Sequence, residues 1–137
     1  MAQLRGGFQF WSAGDSVANA AASPLCEVGP SPWVAVYLAN EHASIDTVFK
    51  VQVAGTASPE AGRNALTDDD DGGLTWFDYQ VVKSDGTFAV LTFTLTHGLE
   101  LAYDLSPFGP QFIRLLRTDS NGANTAIEAF LTAFGPS

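Results

Sequence analysis

Three kinds of residue are scarce in this chain, and each shortage closes a class of function. One cysteine, Cys26, stands among 137 residues, so neither an internal disulfide nor a thiolate zinc cage can form. Two histidines, His42 and His97, leave little for a catalytic triad or a transition-metal cluster. Basic residues number six against fifteen acidic ones, a net charge of −9. A phosphate backbone would be repelled over most of such a surface, which argues against nucleic acid and anionic membrane as partners. No apolar run reaches the roughly 18 residues of a spanning helix. The start, Met1 to Phe8, has neither the basic end nor the apolar run of a signal peptide. Synthesis in a reducing cytoplasm is the expectation, and the unpaired Cys26 agrees with it.

What the chain does have is apolar bulk. Hydrophobic residues make up 46% and charged residues 15%, against a usual charged share of about 25%. Disorder is excluded, because a disordered chain needs low hydrophobicity. One domain spanning residues 1–137 is expected, since two would each fall short of a self-sufficient core.

The dominant period is two. From Thr87 to His97, Leu91, Phe93 and Leu95 point one way and Thr92, Thr94 and Thr96 the other, as in a half-buried strand. Ile45 to Val53 repeats the pattern, with Ile45, Thr47, Phe49, Val51 and Val53 inward and Asp46, Lys50 and Gln52 outward. Trp33 to Ala39 is apolar on both faces, which predicts a central strand covered on each side. Leu74 to Val82, Leu99 to Leu105 and Gln111 to Arg117 supply further strands. Between them lie turn signals at Ser84-Asp85-Gly86-Thr87, His97-Gly98, Ser106-Pro107-Phe108-Gly109-Pro110 and Ser120-Asn121-Gly122. Seven to eight short strands so punctuated predict an all-β antiparallel sandwich of jelly-roll form with long loops.

Three stretches fit less simply. Residues 1–32 read as an N-terminal arm or a first strand plus loops. Residues 54–73 have little periodicity and much Gly, Ser, Pro and Asp, so a long exposed loop is expected, of the kind that is often functional. Thr125 to Phe134 is open between a final strand, which would complete a sheet, and a helix. The helical spacing of Ile127, Phe130, Leu131 and Phe134 and a Thr125/Glu128 capping box speak for the helix, but the same residues also alternate as a strand, and the strand is the preferred reading.

Candidate chemistry is thin. Asp68, Asp69, Asp70 and Asp71 are consecutive, and hard cations take carboxylate oxygens, so Asp68, Asp70 and Asp71 form a conceivable calcium site. An EF-hand frame starting at Asp68 puts Gly73 at the sixth place but Tyr79, not Glu, at the twelfth. A solvated loop is the better account of four like charges. No Gly-x-Ser-x-Gly elbow exists, and His42 and His97 read as turn residues. Glu100 and Asp104 share one strand face, as exposed polar residues often do. Gly6-Gly7 and Gly72-Gly73 lack the lysine of a phosphate loop. No cofactor and no enzymatic activity are expected.

Aromatics offer more. Trp11, Trp33, Trp76, Phe77 and Tyr79 could form a carbohydrate platform or fill a core. Adjacent Trp76 and Phe77 must face opposite ways, so one of them lies at a surface or under a partner. Arg114 and Arg117 fall on opposite faces of one strand, so at least one could pair across a subunit boundary. Trp76, Phe77, Arg114 and Arg117, with Phe108 of the Pro-flanked loop, are the five interface candidates.

The run from Leu99, L-E-L-A-Y-D-L-S-P-F-G-P-Q-F-I-R-L-L-R-T-D, with its A-F-L-T-A-F-G ending, resembles the decoration (cement) proteins that coat capsids of tailed bacteriophages. Its F-I-R-L strand is also similar to one near the C-terminus of galactose-binding-like jelly rolls. The first resemblance implies a structural virion protein on the capsid surface. It would bind the major capsid protein of an assembled shell, often as a homotrimer, after synthesis in the bacterial host cytoplasm. The alternative is a carbohydrate-binding or host-attachment module of a phage fibre.

Overall fold

The computed structural model describes residues 2–28, 33–54, 74–106, 108–110, 112–121 and 124–136. The strands in chain order are β1 (Ala2–Trp11), β2 (Ser16–Val17), β3 (Cys26–Glu27), β4 (Trp33–Asn40), β5 (Thr47–Ala54) and β6 (Phe77–Asp78). They continue with β7 (Gln80–Val82), β8 (Phe88–Val90), β9 (Thr92–Leu95), β10 (Glu100–Asp104), β11 (Phe112–Arg117) and β12 (Thr125–Pro136).

Four antiparallel pairings carry the topology: β1 with β12, β3 with β11, β4 with β10, and β5 with β9. Outermost pairs with outermost and so inward, as in one long two-armed hairpin rolled on itself, which is the jelly-roll winding. Rolling lays the pairs side by side as two sheets. Sheet I has the order β1–β12–β4–β10, and β2 continues the β1 side along the start of β12. Sheet II runs β3–β11–β5, with β9 and β6 sharing the far side of β5. The hairpin β7–β8 is inserted between β5 and β9.

Alternation sets which residues meet between the sheets. Val34, Val36 and Leu38 of β4 face Phe49 and Val51 of β5, Ile113 and Leu115 of β11, and Phe93 and Leu95 of β9 in one buried cluster. Leu91, Phe93 and Leu95 point inward as the threonine alternation requires. Residues Thr125, Ile127, Ala129, Leu131 and Ala133 are all buried, so period two wins over helical spacing and 125–134 is strand. It lies between β1 and β4, where its backbone groups find partners on both sides, which a helix at that place would not provide.

Other expectations change in detail. Of the two readings of residues 1–32, the first strand plus loops describes residues 2–28, with β1 followed by the short β2 and β3. Leu74 to Val82 and Thr87 to His97 are each interrupted, at Tyr79 and Leu91. There the Tyr79 N–H donates to Val51 O at 2.8 Å and the Leu91 N–H to Tyr79 O at 2.9 Å, so the chain leaves sheet II and returns as β7–β8. The hairpin closes where expected: Gly86 takes φ +86°, and Lys83 N–H donates to Thr87 O at 2.7 Å. Residues 55–73, with the aspartates Asp68, Asp70 and Asp71, lie outside the described residues.

Two buried polar side chains tie the sheets together. Asn40 of β4 donates through Nδ2 to Leu95 O of β9 at 3.0 Å and to Ile45 O at 2.8 Å. Its Oδ1 accepts from His42 N–H at 3.0 Å. Arg117, 0% exposed, donates to Val17 O of β2 at 2.6 Å and makes a two-pronged pair with Asp119 at 2.8 and 3.0 Å. A charge can sit there because its donors are matched.

Candidate functional site

Sheet II presents a polar outer face that is satisfied within the chain. On it Lys50 Nζ lies 2.9 Å from the Asp78 carboxylate, and Gln52 Nε2 donates to the same group at 3.3 Å. The Lys50 hydrogen bond, helped by Gln52, holds the Asp78 carboxyl below the usual carboxylate range against a smaller desolvation. Arg114 Nε donates to Gln52 Oε1 at 2.9 Å, and its guanidinium lies 4.3 Å from the centre of the Trp76 ring, a cation–π contact.

Sheet I presents a different outer face. The side chains alternating outward along β4 are Trp33, Ala35, Tyr37 and Ala39, so the expectation that β4 is covered on both faces fails among the described residues: Trp33 is 40% exposed. Register places Phe130 of β12 and Ala102 of β10 on either side of Tyr37. Tyr37 and Phe130 stack with ring centres 4.7 Å apart and planes 14° apart. One row further, Glu128 and Glu100 flank Ala39. Two hollows result from small residues lying between large ones. A hollow of about 490 Å³ is bounded by Trp33, Ala35, Tyr37, Ala102, Asp104 and Ser106. A second, of about 360 Å³, is bounded by Tyr37, Ala39, Glu100, Ala102, Glu128 and Phe130. Ser106 donates to Asp104 through its backbone N–H at 2.8 Å. Hydrogen bonds from its side chain and backbone hold the Asp104 carboxyl low.

The residues singled out from sequence do not assemble into one place. Trp76 is half-buried against Ala54, Leu74 and Phe112, while its neighbour Phe77 is 63% exposed, so the pair does divide between packed and open. Arg114 faces outward and Arg117 inward, as parity requires. Arg117 is sealed in the core by Asp119, and Phe108, 6% exposed, packs there against Tyr79 at 5.8 Å. Both are corrected from interface candidates to interior residues. Of the suggested ring platform, Trp11 packs on Phe49 at 5.5 Å and Tyr79 lies against the core. Trp33 alone of the five stands on the outer face of sheet I. Tyr37 and Phe130, which carry that face, were missed; the two-sided apolar character of Trp33 to Ala39 was the signal that pointed to it.

The histidines occupy turns. His42 Nδ1 accepts the N–H groups of Ser44 and Ile45, each at 3.0 Å. His97 Nδ1 lies 2.8 Å from Asp46 Oδ1. The bond from His97 N–H, joined by the ring, lowers the Asp46 carboxyl. That pair is open to solvent and lines neither hollow. Burial pushes the Cys26 thiol up to about 11, with Glu27 adding to it, so it stays protonated and unreactive at neutral pH. Among the described residues no three His, Cys, Asp or Glu side chains converge as a metal site would need.

No protein-family model and no curated protein matches the chain. Among solved structures it is similar to the SPBc2 prophage-derived protein YomS, at 10% identity over 98% of this chain and 96% of that one, with a TM-score of 0.55. That likeness is one of fold. Weaker ones are to a Bacillus endospore appendage protein of disulfide-linked pili (12% identity, 100% and 88% covered, TM-score 0.41) and to the Triatoma virus empty capsid (13%, 100% and 92%, TM-score 0.38). At those scores they support no functional comparison.

Proposed function

We propose that this chain is a structural virion protein: a capsid decoration or cement subunit that binds the major capsid protein of an assembled phage shell and stabilises it by surface burial. It is made in the bacterial host cytoplasm, works on the capsid surface and acts as a homo-oligomer, with a trimer favoured. The observation that carries this reading is the outer face of sheet I. A row of aromatic and small apolar side chains there, 40% exposed at Trp33, has no cover among the described residues, and such patches mark contact with other protein. A fold shared with a prophage-derived protein is compatible with it.

The test is co-sedimentation with purified expanded phage capsids. The chain is expected to pellet with shells and to raise the temperature at which they rupture. Trp33→Glu, which places a charge at the exposed end of that face, should stay in the supernatant. A wild-type chain that never pellets with shells would overturn the reading.

A second reading, a carbohydrate-binding or host-attachment module of a phage fibre, is favoured by the hollow between Trp33 and Tyr37, where Asp104 and Ser106 add polar groups. Against it, the stack on Phe130 occupies one face of the Tyr37 ring. Retardation on a polysaccharide column, lost in Trp33→Ala, would favour this second reading.

A further inference from the structure

The inserted hairpin β7–β8 is the second apolar feature left open. Its residues Val81 and Ala89 turn toward the body, with Val81 packed on the core. The opposite side carries the cross-strand pair Val82 and Phe88, 65% and 68% exposed, with Val90 beside them at 37%. Hydrophobic side chains this open on a projecting ribbon are costly in water. The next residue toward the turn is Lys83. Among the described cationic side chains, Lys50 is paired with Asp78, Arg117 with Asp119, and Arg114 lies on Trp76 and Gln52. Lys83 has no acidic partner among the described residues.

The outer face of sheet I is complementary in both respects. Its hollow of about 360 Å³ is floored by Ala39 and Ala102, walled by the Tyr37–Phe130 stack and edged by Glu100 and Glu128. That volume is at the lower end of sites that hold small molecules, about 300–1,000 Å³, and it has room for an aromatic ring. Glu100 and Glu128 have no cationic partner among the described residues. The chain's net charge of −9 makes two copies repel generally, so a contact between them needs a place where opposite signs meet.

Resting on the structural-subunit reading, we infer that a second copy of this chain occupies the part of that face around this hollow, leaving the end at Trp33 to the shell. The β7–β8 hairpin of one copy lays Phe88 and Val82 against Tyr37, Phe130, Ala39 and Ala102 of the next, and Lys83 lies between Glu100 and Glu128. The two surfaces differ, so the contact is head-to-tail and builds a ring if the rotation closes, or a filament if it does not.

Light scattering after size exclusion, across a concentration series, tests this. The wild-type chain should associate reversibly. Lys83→Glu should weaken association at least about tenfold, and Glu100→Lys with Glu128→Lys should do the same, because each sets like charges face to face. All three changes in one chain should restore association to near the wild-type level. Phe88→Ser should abolish it while far-UV circular dichroism and the thermal midpoint stay at wild-type values, since the side chain is exposed in the monomer. A wild-type chain that stays monomeric, variants that associate unchanged, or a triple variant that fails to recover would each overturn the inference. Capsid co-sedimentation separates the two claims. A monomeric wild type that still pellets with shells sinks the self-contact and leaves the virion reading intact. An assembling chain that ignores shells does the opposite.

Discussion

The outer faces of the two sheets are built from the same alternation and end in opposite states. On sheet II the polar outward side chains of β5 and β11 are Lys50, Gln52 and Arg114, and each finds a partner within the chain: Asp78, Asp78 again, and Gln52 with Trp76, while the apolar Ala54 and Phe112 on the same side are buried with Leu74 and Trp76. On sheet I the outward positions of β4, β10 and β12 include Ala35, Tyr37, Ala39, Ala102 and Phe130, with Glu100 and Glu128 at the margin. A face whose polar groups are already matched gains little from a partner. A face of half-buried rings and of carboxylates without a cationic partner among the described residues gains from burying the first and pairing the second. On that ground the proposed contact is assigned to sheet I.

Charge at two depths of sheet II sharpens this. The Arg117–Asp119 pair lies inside, with side chains 0% and 11% exposed, and removing one partner strands the other without water. Asp119→Ala should cost about 3–5 kcal/mol of stability, read as the shift of the urea midpoint at constant slope. A loss below about 1 kcal/mol would mean that Arg117 reaches water, and that inside and outside do not differ as described.

The same carboxylate gives a pH dependence. Burial pushes the Asp119 carboxyl up, but the hydrogen bonds from Arg117, from the backbone of Val48 and Asn121, and the Arg117 charge outweigh it, so its folded value lies below the ordinary one. A depressed value means stabilisation that is whole above the unfolded pKa of about 3.9 and is lost as pH falls through the folded one. Urea midpoints should accordingly be flat from pH 7 to about 5 and fall below about 4. Asp119→Asn should flatten that fall; an unchanged acid limb would place the dependence elsewhere.

Tyr37→Ala on sheet I should cost less. It loses a stacked ring pair worth about 0.5–1.5 kcal/mol beyond area burial, at a position that is half-buried rather than sealed. Thermal melts should show a midpoint lowered by a few degrees while association between copies is lost. A cost as large as that of Asp119→Ala would show that Tyr37 holds up the fold, and the working side would need to be sought elsewhere.

How much of this could be read in the chain beforehand depends on range. Alternation within a strand is local, so the inward Leu91, Phe93 and Leu95, the opposite facing of Arg114 and Arg117, and the Asp85-Gly86 turn were all legible. Which side is inside is not local. Arg117 reads as an outward charge until Asp119, two residues on, and the Val17 carbonyl, a hundred residues back, are brought to it. Phe108 sits in a proline-flanked loop that reads as exposed, yet the loop folds its ring onto Tyr79. The Tyr37–Phe130 stack needs β4 and β12 as neighbours, a consequence of the rolled winding that neither segment announces. In residues 125–134, periods of two and of 3.6 coexist, and the two flanking strands decide between them.

The smallest expected effect tests the satisfied face. Lys50 and Asp78 meet at 2.9 Å with side chains 22% and 31% exposed, so water and salt screen them, and such pairs contribute about 0–1 kcal/mol. Lys50→Met keeps the methylene stem against the sheet and removes the ammonium, leaving Asp78 with Gln52 and solvent. Stability should fall by no more than about 1 kcal/mol, the deficit should shrink in molar salt, and association should match the wild type. If instead Lys50→Met abolished association while Tyr37→Ala left it intact, the matched polar face would be the one a partner covers, and the assignment of the two sides would be reversed.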